Sequence, residues 1–329
     1  MLNIFLDNYK VKCIKKTNDN LLNKNEAYIL NRFPIYVINL KTDVIRRSYI
    51  EHLFKKHHIN YHLVIVEKFN YTSKNIGLIN TINSSILGCA LSHLWCIRDA
   101  ISKNMKQFII FEDDIIFHKN FQELFQPMLL ALEYCDLLMM GALDRNLPEN
   151  MDLNTDKVYF PKCNVLGAHA NVYKLEFAKA FFNYKIHTET VMEFDTEYDK
   201  FMDKYKIGVC LPNLVVCELS TTNIHHYYSP LMRNNYNNFT KTFHTQYNYN
   251  EYEYMLIKFI QLISENSNNT SYTSFNDMVS AFCKNKEGYM EKIREWLLNS
   301  TYTLDDIIKI CGYITNDKLV NDKVFVNSV

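Results

Sequence analysis

Short apolar runs alternate with stretches of helical periodicity over the first part of the chain, and this alternation constrains the fold most. The run "FPIYVINL" at 33–40 is rich in β-branched and aromatic residues, and Thr42 or Asp43 can cap the helix that follows it. Further strands are predicted at 61–66, 107–111, 136–141 and 207–216, and a further helix near 86–103. Strands that alternate with helices predict an α/β fold with a mainly parallel sheet flanked by helices.

The chain changes character towards both ends. Residues 1–32 are polar and irregular, which predicts an arm or a strand added to the main domain at 33–232. Residues 233–250 are rich in Asn, Tyr and Thr without apolar periodicity, and they predict a polar loop. Beyond this loop, 251–329 shows helical patterns and no visible chemistry, so we expect a helical C-terminal region.

The charge balance excludes one class of partner. The chain has 36 Lys and Arg residues against 36 Asp and Glu residues, so its formal net charge is zero. A neutral chain has no overall attraction to nucleic acid or to an anionic membrane. No apolar run approaches the ~20 residues of a transmembrane segment, and "MLNIFL" is too short for a signal peptide. We therefore expect a cytoplasmic protein with no transmembrane segment and no nucleic-acid partner.

The nine cysteines predict neither a disulfide framework nor a zinc site, because their number is odd and no CxxC pair occurs. Several lie in apolar surroundings and are interpreted as small core residues. These are Cys89, Cys96, Cys135, Cys210 and Cys217.

Three consecutive carboxylates, Glu112, Asp113 and Asp114, interrupt the apolar run "FIIFEDDIIF" at 108–117. In a strand, Glu112 and Asp114 would share one side while Asp113 would point to the other. Open α/β sheets bind ligands beyond the carboxyl ends of their strands. Two carboxylates there supply half of a shell for a hard divalent cation, which in turn can hold a diphosphate. The alternative is an acidic turn after an edge strand.

Four blocks of the sequence occur in an order that is typical of one enzyme family. They are "IYVINLKTDVIRR", "ILGCALSHLWCIRDAI", "FIIFEDDIIF" and "YCDLLMMG". Together they resemble glycosyltransferase family 25, the lipooligosaccharide and collagen-type sugar transferases of the GT-A fold. The second block is similar to the family's G-C-x-x-S-H segment, and the third to its E-D-D form of the DxD motif. The resemblance extends over about 34–229, and its first three blocks together are specific.

The resemblance implies a nucleotide-sugar donor, usually a UDP-sugar, that is held by Mn²⁺ or Mg²⁺. A hexose would move from this UDP-hexose to a hydroxyl of a glycan, glycoconjugate or protein acceptor. By motif position, Asp114 would ligate the metal, Glu112 would ligate it directly or through water, and Asp113 would hydrogen-bond the ribose. A metal across the phosphates stabilises the charge that develops on the departing diphosphate.

The first two blocks imply further donor-site residues. These are Asn39 in the first block, and Gly88, Ser92 and His93 in the second. Gly88 is expected at the start of its helix, where the absence of a side chain permits close backbone approach. Taken without the family, Ser92 and His93 on an apolar helix would be interpreted as hydrogen-bonded core residues.

Arg46 and Arg47 fall in the first turn of their predicted helix, where a cation opposes the helix macrodipole. This placement and the family position predict that the pair contacts the nucleotide or its phosphates. The alternative is an ordinary exposed pair whose unfavourable charge is screened by solvent.

A third metal ligand is implied far downstream, where GT-A enzymes often use a histidine. The stretch "TTNIHHYY" supplies His225 and His226, and no feature of the sequence chooses between them. An imidazole beside two carboxylates favours Mn²⁺ over Mg²⁺. The alternative is that two adjacent histidines in a polar loop have no special role.

Asp195 in "EFDTEYDKF" is the candidate catalytic base. The family resemblance implies inversion at the anomeric carbon, and inversion needs a carboxylate that removes the acceptor proton. The alternative is that Asp195, Asp199 and Asp203, which recur every four residues, form the solvated stripe of an amphipathic helix. The chain departs from the family at Asn171, where an aromatic residue is usual and where Tyr173 follows two residues later; this departure concerns the acceptor subsite.

Three alternatives stand against a metal-dependent glycosyltransferase. A non-catalytic nucleotide-sugar or glycan-binding protein on the same fold would bind the donor without transfer. A two-metal phosphohydrolase or nuclease would need further carboxylate clusters. A Rossmann dehydrogenase is disfavoured because no GxGxxG occurs. The role of the predicted C-terminal helices stays open between formation of a homo-oligomer, acceptor binding and docking of a partner.

Overall fold

The computed structural model describes residues 2–18, 29–68, 84–118, 120–142, 157–162, 165–188 and 194–217. The chain divides into two compact units, residues 1–42 with 53–249 and residues 43–52 with 250–329. The predicted loop at 233–250 and the predicted helices of 251–329 lie outside the described residues.

The described residues contain helices and strands that alternate along the chain. The α-helices are α1 (Leu2–Asn8), α2 (Val44–Lys56), α3 (Ser84–Ser102), α4 (Phe121–Met128) and α5 (Leu175–His187). The strands are β1 (Val11–Lys16), β2 (Ile35–Leu40), β3 (Tyr61–Val66), β4 (Gln107–Glu112), β5 (Ile115–Phe117), β6 (Leu137–Met139), β7 (Lys157–Tyr159), β8 (Ala170–Lys174), β9 (Ile207–Leu211) and β10 (Val215–Cys217). Short 3₁₀ helices lie at Ile29–Arg32, Leu129–Glu133 and Tyr198–Phe201.

One large sheet carries eight of the described strands in the order β1-β3-β2-β4-β8-β6-β9-β7. β2 is parallel to β3 and β4, and β6 is parallel to β9. β1, β8 and β7 run antiparallel to their neighbours. Five strands (β3, β2, β4, β6 and β9) therefore point one way and three point the other. The predicted fold class, a mainly parallel α/β sheet flanked by helices, is confirmed.

Strand β4 is buried on both faces, which explains why its sequence is almost continuously apolar. Phe108 and Ile110 belong to the core that α1, α3 and α5 share with the sheet. On the opposite face, the ring of Phe111 lies 5.8 Å from that of Phe54 and 5.9 Å from that of Phe117. Strands covered on both faces lose the apolar–polar alternation of a half-exposed strand. The three carboxylates follow directly at the carboxyl end of this buried strand.

The N-terminal residues add a helix and an edge strand to the sheet. β1 pairs with β3 from Val11 opposite Val66 to Lys16 opposite Tyr61. The exposed lysines of this strand are typical of an edge that must not pair with another chain. Helix α1 packs against α3 and α5. An arm or a strand was predicted here from the sequence, and the helix was not.

Proline limits one of the predicted strands. The run predicted as a single strand at 207–216 forms two, because β9 ends at Leu211 and β10 starts at Val215. Pro212 lacks the N–H that a ladder needs, so it ends the first strand. β10 then pairs with β5 in a separate antiparallel ribbon. None of the helices that the structure describes is long and apolar enough to span a membrane.

Candidate active site

The acidic triplet lies at the carboxyl end of β4, in the middle of the large sheet. β4 ends at Glu112, Asp113 and Asp114 form a turn, and β5 starts at Ile115. The strand thus ends one residue beyond the predicted bound, and the alternation expected for three side chains within a strand does not apply to the triplet. The turn follows a central strand and not an edge strand, because β2 and β8 flank β4. This is the end of the sheet where open α/β proteins bind ligands.

Glu112 is oriented by two elements. Its backbone N–H donates to the carbonyl oxygen of His169, 2.9 Å away. Its Oε1 lies 3.0 Å from His93 Nε2 and 3.9 Å from the Sγ of Cys89, both on α3. Because positions 89 and 93 are one helical turn apart, they share the face of α3 that meets this carboxylate. The Glu112 side chain keeps 26% of its surface exposed, so it remains accessible to a ligand.

Asp113 is held from the neighbouring strand. Asn39 Nδ2, near the end of β2, donates to Asp113 Oδ2 at 2.6 Å. Asn39 is fully buried, and Asp113 and Asp114 are 7% and 6% exposed. The two residues that the first and third sequence blocks assigned to donor binding are therefore brought together, and each fixes the other.

Several carboxylates concentrate negative charge around one thiol. Burial raises the pKa of Cys89 well above its ordinary value, and Glu112, Asp195 and Asp114 raise it further. Glu112 and Asp114, at the end of β4, and Asp195, in a later segment, thus all act electrostatically on the thiol of Cys89. Such a density of oxygen donors and negative charge fits a divalent cation.

Helix α3 carries the second sequence block, and it starts earlier than expected. It begins at Ser84, so Gly88 lies one turn inside the helix and the prediction that it starts the helix is wrong. The hydroxyl of Ser92 donates to the Gly88 carbonyl oxygen at 2.6 Å and lies 2.9 Å from the hydroxyl of Tyr9. Tyr9 also donates to the Gly88 carbonyl at 3.1 Å, and burial raises the pKa of Tyr9 to about 12. Gly88 and Ser92 are thus bound to the N-terminal segment.

His93 lies between the acidic turn and the segment that carries Asp195. The residue is fully buried, and its ring stacks on Phe194 with centroids 4.5 Å apart and planes 23° apart. Its Nδ1 is buried without a hydrogen-bond partner among the described residues, and Nε2 faces Glu112. The stacking fixes the plane of the ring, so the direction in which Nε2 points is also fixed.

Asp195 does not lie on an amphipathic helix. Residues 195–197 form bends and turns, followed by the 3₁₀ helix Tyr198–Phe201. Phe194, Tyr198 and Phe201 are buried among the rings of α5, and this burial sets the backbone path. The Oδ2 of Asp195 accepts the backbone N–H of Gly167 at 2.6 Å. The interpretation of 195, 199 and 203 as one solvated helical stripe is therefore wrong.

Asn171 and Tyr173, where the chain departs from the family pattern, are buried in β8. Asn171 Nδ2 donates to the carbonyl oxygen of Gly167 at 3.0 Å and to the hydroxyl of Tyr198 at 3.3 Å. The hydroxyls of Tyr173 and Tyr198 lie 2.7 Å apart. This network connects the segment of Asp195 to the loop whose Gly167 binds the Asp195 carboxylate. Asn171, the residue that departs from the family pattern, therefore helps to position Asp195.

Four predicted site residues belong to the second compact unit or lie outside the described residues. Arg46 and Arg47 belong to residues 43–52 of the second compact unit. There the backbone N–H of Arg46 donates to Asp43 Oδ1 at 3.2 Å, and its Nε lies 3.7 Å from Asp43 Oδ2. Asp43 thus begins the helix as predicted. The phosphate contact of both arginines stays a prediction, and His225 and His226 lie outside the described residues.

Cys89 is the site residue that the sequence analysis misjudged. Its apolar neighbours suggested a core residue, whereas the structure places its thiol beside Glu112 and His93. The signal was present in the spacing: a Cys and a His four residues apart on a predicted helix share one face.

The fold and the site together define a class of protein: an α/β chain with a carboxylate cluster at the ligand-binding end of its sheet. The model of the family described as "Glycosyltransferase family 25 (LPS biosynthesis protein)" matches residues 33–319, well over half of the chain. The chain belongs to glycosyltransferase family 25, as the sequence blocks indicated, and it is an enzyme of the transferase class. The match also runs through most of the C-terminal region beyond the sequence blocks.

Solved structures show only remote likeness. A glycosyltransferase involved in the glycosylation of the major capsid of PBCV-1 matches with 11% identity and a TM-score of 0.33, over 63% of this chain and 99% of the other. The 4-diphosphocytidyl-2C-methyl-D-erythritol synthase from Anaerococcus prevotii matches with 11% identity and a TM-score of 0.32, over 64% of this chain and 98% of the other. Likeness at this level carries no argument about function. No curated protein matches the chain.

Proposed function

We propose that the chain is a metal-dependent glycosyltransferase that moves a hexose from a UDP-sugar to a hydroxyl of a glycan, glycoconjugate or protein acceptor, with inversion. The observation that carries this proposal is the group of carboxylates at the end of β4. Glu112 ends β4, Asp114 follows in the turn, and Asp195 comes directly after Phe194, whose ring stacks on the His93 that faces Glu112. Family membership supplies the reaction class, and this cluster supplies the acidic groups that the reaction needs.

Glu112 and Asp114 are the proposed metal ligands. They offer hard oxygen donors at the end of a strand, which suits Mn²⁺ or Mg²⁺. When bound, such an ion neutralises the charge that develops on the departing diphosphate. Glu112 is partly exposed while Asp114 is almost buried, and the turn between them fixes both.

Asn39 and Asp113 are the proposed contacts of the nucleoside. Their 2.6 Å hydrogen bond orients the Asp113 carboxylate. An ionised carboxylate accepts hydrogen bonds only, so it is suited to the hydroxyls of a ribose. His93 orients Glu112 from the opposite side, so donor binding depends on both neighbours of the acidic turn.

Asp195 is the proposed base. Its Oδ2 accepts the backbone N–H of Gly167, which fixes the direction of the carboxylate. In an inverting transfer a carboxylate takes the proton of the acceptor hydroxyl as that oxygen attacks the anomeric carbon. The preceding residue, Phe194, stacks on His93, whose Nε2 faces Glu112, and this supports a position of Asp195 close to the proposed metal ligands.

A donor screen tests this function. Purified protein is incubated with UDP-, GDP- and CMP-sugars, with and without Mn²⁺, and nucleotide release is measured. We expect release from a UDP-sugar that depends on Mn²⁺ and that is lost in Asp114→Ala. Asp203→Ala, an exposed aspartate in the turn after the 3₁₀ helix, is the matched control and should keep full activity.

Two results would contradict the proposal. Nucleotide release that persists in Asp114→Ala would contradict the proposed role of the acidic triplet in metal binding. Donor binding without release or transfer, in the presence of Mn²⁺ and a range of acceptors, would instead indicate a nucleotide-sugar or glycan-binding protein on this fold.

A further inference from the structure

Three potential metal ligands converge beside the acidic turn. The Sγ of Cys89, a ring nitrogen of His93 and a carboxylate oxygen of Glu112 all lie within 4.8 Å of one another. Two come from one face of α3 and the third from the end of β4. His93 is stacked on Phe194, and Glu112 is held through its backbone N–H by His169. The cluster is therefore built from two rigid elements.

Two distances within the cluster are close to those around a tetrahedral zinc ion. Zinc lies about 2.3 Å from a thiolate and about 2.0–2.2 Å from an imidazole nitrogen or a carboxylate oxygen, so neighbouring ligands stand roughly 3.3–3.6 Å apart. In this chain Glu112 Oε1 is 3.0 Å from His93 Nε2 and 3.9 Å from Cys89 Sγ, and the thiol and the ring nitrogen lie within 4.8 Å of each other. Small changes in side-chain position would bring the three atoms to ligand distance.

The ligand types distinguish this group from the proposed site of the catalytic metal. A thiolate and an imidazole favour zinc, whereas Mn²⁺ and Mg²⁺ prefer carboxylate oxygens. We propose that Cys89, His93 and Glu112 form a second cation site that binds Zn²⁺, with three protein ligands and one open position. The nearby charges of Asp114 and Asp195 favour any cation at this point.

Binding of the ion requires that protons leave the cluster. Zn²⁺ binds the thiolate of Cys89, so the proton of the thiol passes to solvent when the ion binds. The proton shared between His93 Nε2 and Glu112 Oε1 must also move. The neutral ring then carries its proton on Nδ1, and the Nε2 lone pair faces the ion.

The site has a consequence for catalysis, and this consequence rests on the proposed function. Glu112 is a ligand in both sites, so a zinc ion on Cys89 and His93 withdraws it from the Mn²⁺ or Mg²⁺ that holds the donor. Zinc should therefore inhibit an enzyme that Mn²⁺ activates, and removal of the thiol should relieve that inhibition.

Metal binding to the full-length chain tests the site independently of activity. Chelator-treated protein is titrated with Co²⁺, and the near-ultraviolet charge-transfer band of a cobalt thiolate is recorded; Zn²⁺ affinity is measured by calorimetry. We expect that Co²⁺ produces this charge-transfer band and that added Zn²⁺ abolishes it. Cys89→Ser should lose the band and weaken Zn²⁺ binding by at least about tenfold. Cys96→Ser, a buried cysteine two turns further along α3, is the matched control and should keep both.

A second variant keeps the proposal testable if Cys89→Ser does not fold. His93→Gln keeps the thiol and should weaken Zn²⁺ binding by a similar factor, and circular dichroism shows whether each variant is folded. A folded wild-type chain without a cobalt thiolate band would overturn the proposal, as would a band that persists in folded Cys89→Ser. Absence of glycosyl transfer would not affect these readouts, so failure of the zinc site and failure of the proposed function can be told apart.

Discussion

The buried ion pair between Lys185 and Glu197 gives a sharp test of how the Asp195 segment is held. Both side chains are 1% exposed. Lys185 Nζ in α5 contacts Glu197 Oε2, while Oε1 accepts hydrogen bonds from Tyr184 and Lys200 at 3.1 Å each. Because Glu197 lies two residues after Asp195, this pair anchors the segment of the proposed base to α5. The perturbation is Lys185→Met, which keeps most of the side-chain volume and removes the charge.

Removal of one partner of a buried pair leaves an uncompensated buried charge, and the cost is about 3–5 kcal/mol. In this chain Glu197 keeps Lys200, whose side chain is 51% exposed, and the hydroxyl of Tyr184. We therefore expect a loss of about 3 kcal/mol in the free energy of unfolding, at the lower end of that range. The double variant Lys185→Met/Glu197→Gln removes the stranded charge and should recover at least roughly 1 kcal/mol of the loss.

The assay is urea unfolding followed by far-ultraviolet circular dichroism, with hydrogen exchange over 175–187 to localise the effect. Lys179→Met is the matched control on the same helix. Lys179 pairs with Glu176 at 2.8 Å, but the two side chains are 45% and 77% exposed, so the change should stay within about 0.5 kcal/mol. Equal effects of Lys185→Met and Lys179→Met would refute the reasoning, and so would a double variant that is less stable than Lys185→Met.

The loss of unfolding free energy that Lys185→Met causes should depend on pH, and the sign of this dependence follows from the pKa of Glu197. Burial alone would raise the pKa of Glu197, but Lys185 and Lys200 more than offset it, and the folded pKa lies below the ordinary value of 4.5. A lowered carboxyl pKa contributes stability above the unfolded value, and the contribution is lost as pH falls through the folded value. The difference in stability between wild type and Lys185→Met should therefore be full at neutral pH and should shrink below pH 4.5.

Two further substitutions test the site and its backbone. Asp195→Asn keeps an oxygen that can accept the N–H of Gly167, so turnover should fall by roughly 10²–10⁴ without a change in the unfolding midpoint; a loss below about tenfold would exclude Asp195 as the base. Gly141→Ala would place a Cβ 1.8 Å from the backbone oxygen of Val215, so circular dichroism should show loss of folded protein. Gly208→Ala, which meets only side-chain atoms, should stay folded, and equal tolerance of both changes would contradict the packing argument.

The strands of the sheet could be predicted because strands that are buried have apolar sequences. The prediction at 61–66 coincides with β3, and that at 107–111 is one residue shorter than β4. Both runs are apolar because helices or rings cover both faces of the sheet. The acidic triplet could also be placed at a strand end, since three carboxylates cannot continue a buried strand at acceptable cost.

The errors have a common cause, since they concern segments whose path is set by distant contacts. The four-residue spacing of Asp195 and Asp199 suggested a helix, but the buried rings of Phe194 and Tyr198 pull this segment into bends and a short 3₁₀ helix. Cys89 was interpreted as core because its neighbours in sequence are apolar, while its functional neighbours belong to β4. The spacing of Cys89 and His93 places both on one face of α3, but it does not show which strand that face meets, so the contact with Glu112 could be assigned only from the three-dimensional structure.

The way in which the acidic residues are held agrees with the proposed cation site. Asp113 accepts a hydrogen bond from the amide of Asn39, and Asp195 accepts one from the backbone N–H of Gly167. Each of these donors fixes the direction of the carboxylate that it binds. Burial raises the pKa of Cys89, and the charges of Glu112, Asp195 and Asp114 raise it further. A divalent ion at the proposed site would reduce the repulsion between these carboxylates and the diphosphate of a nucleotide.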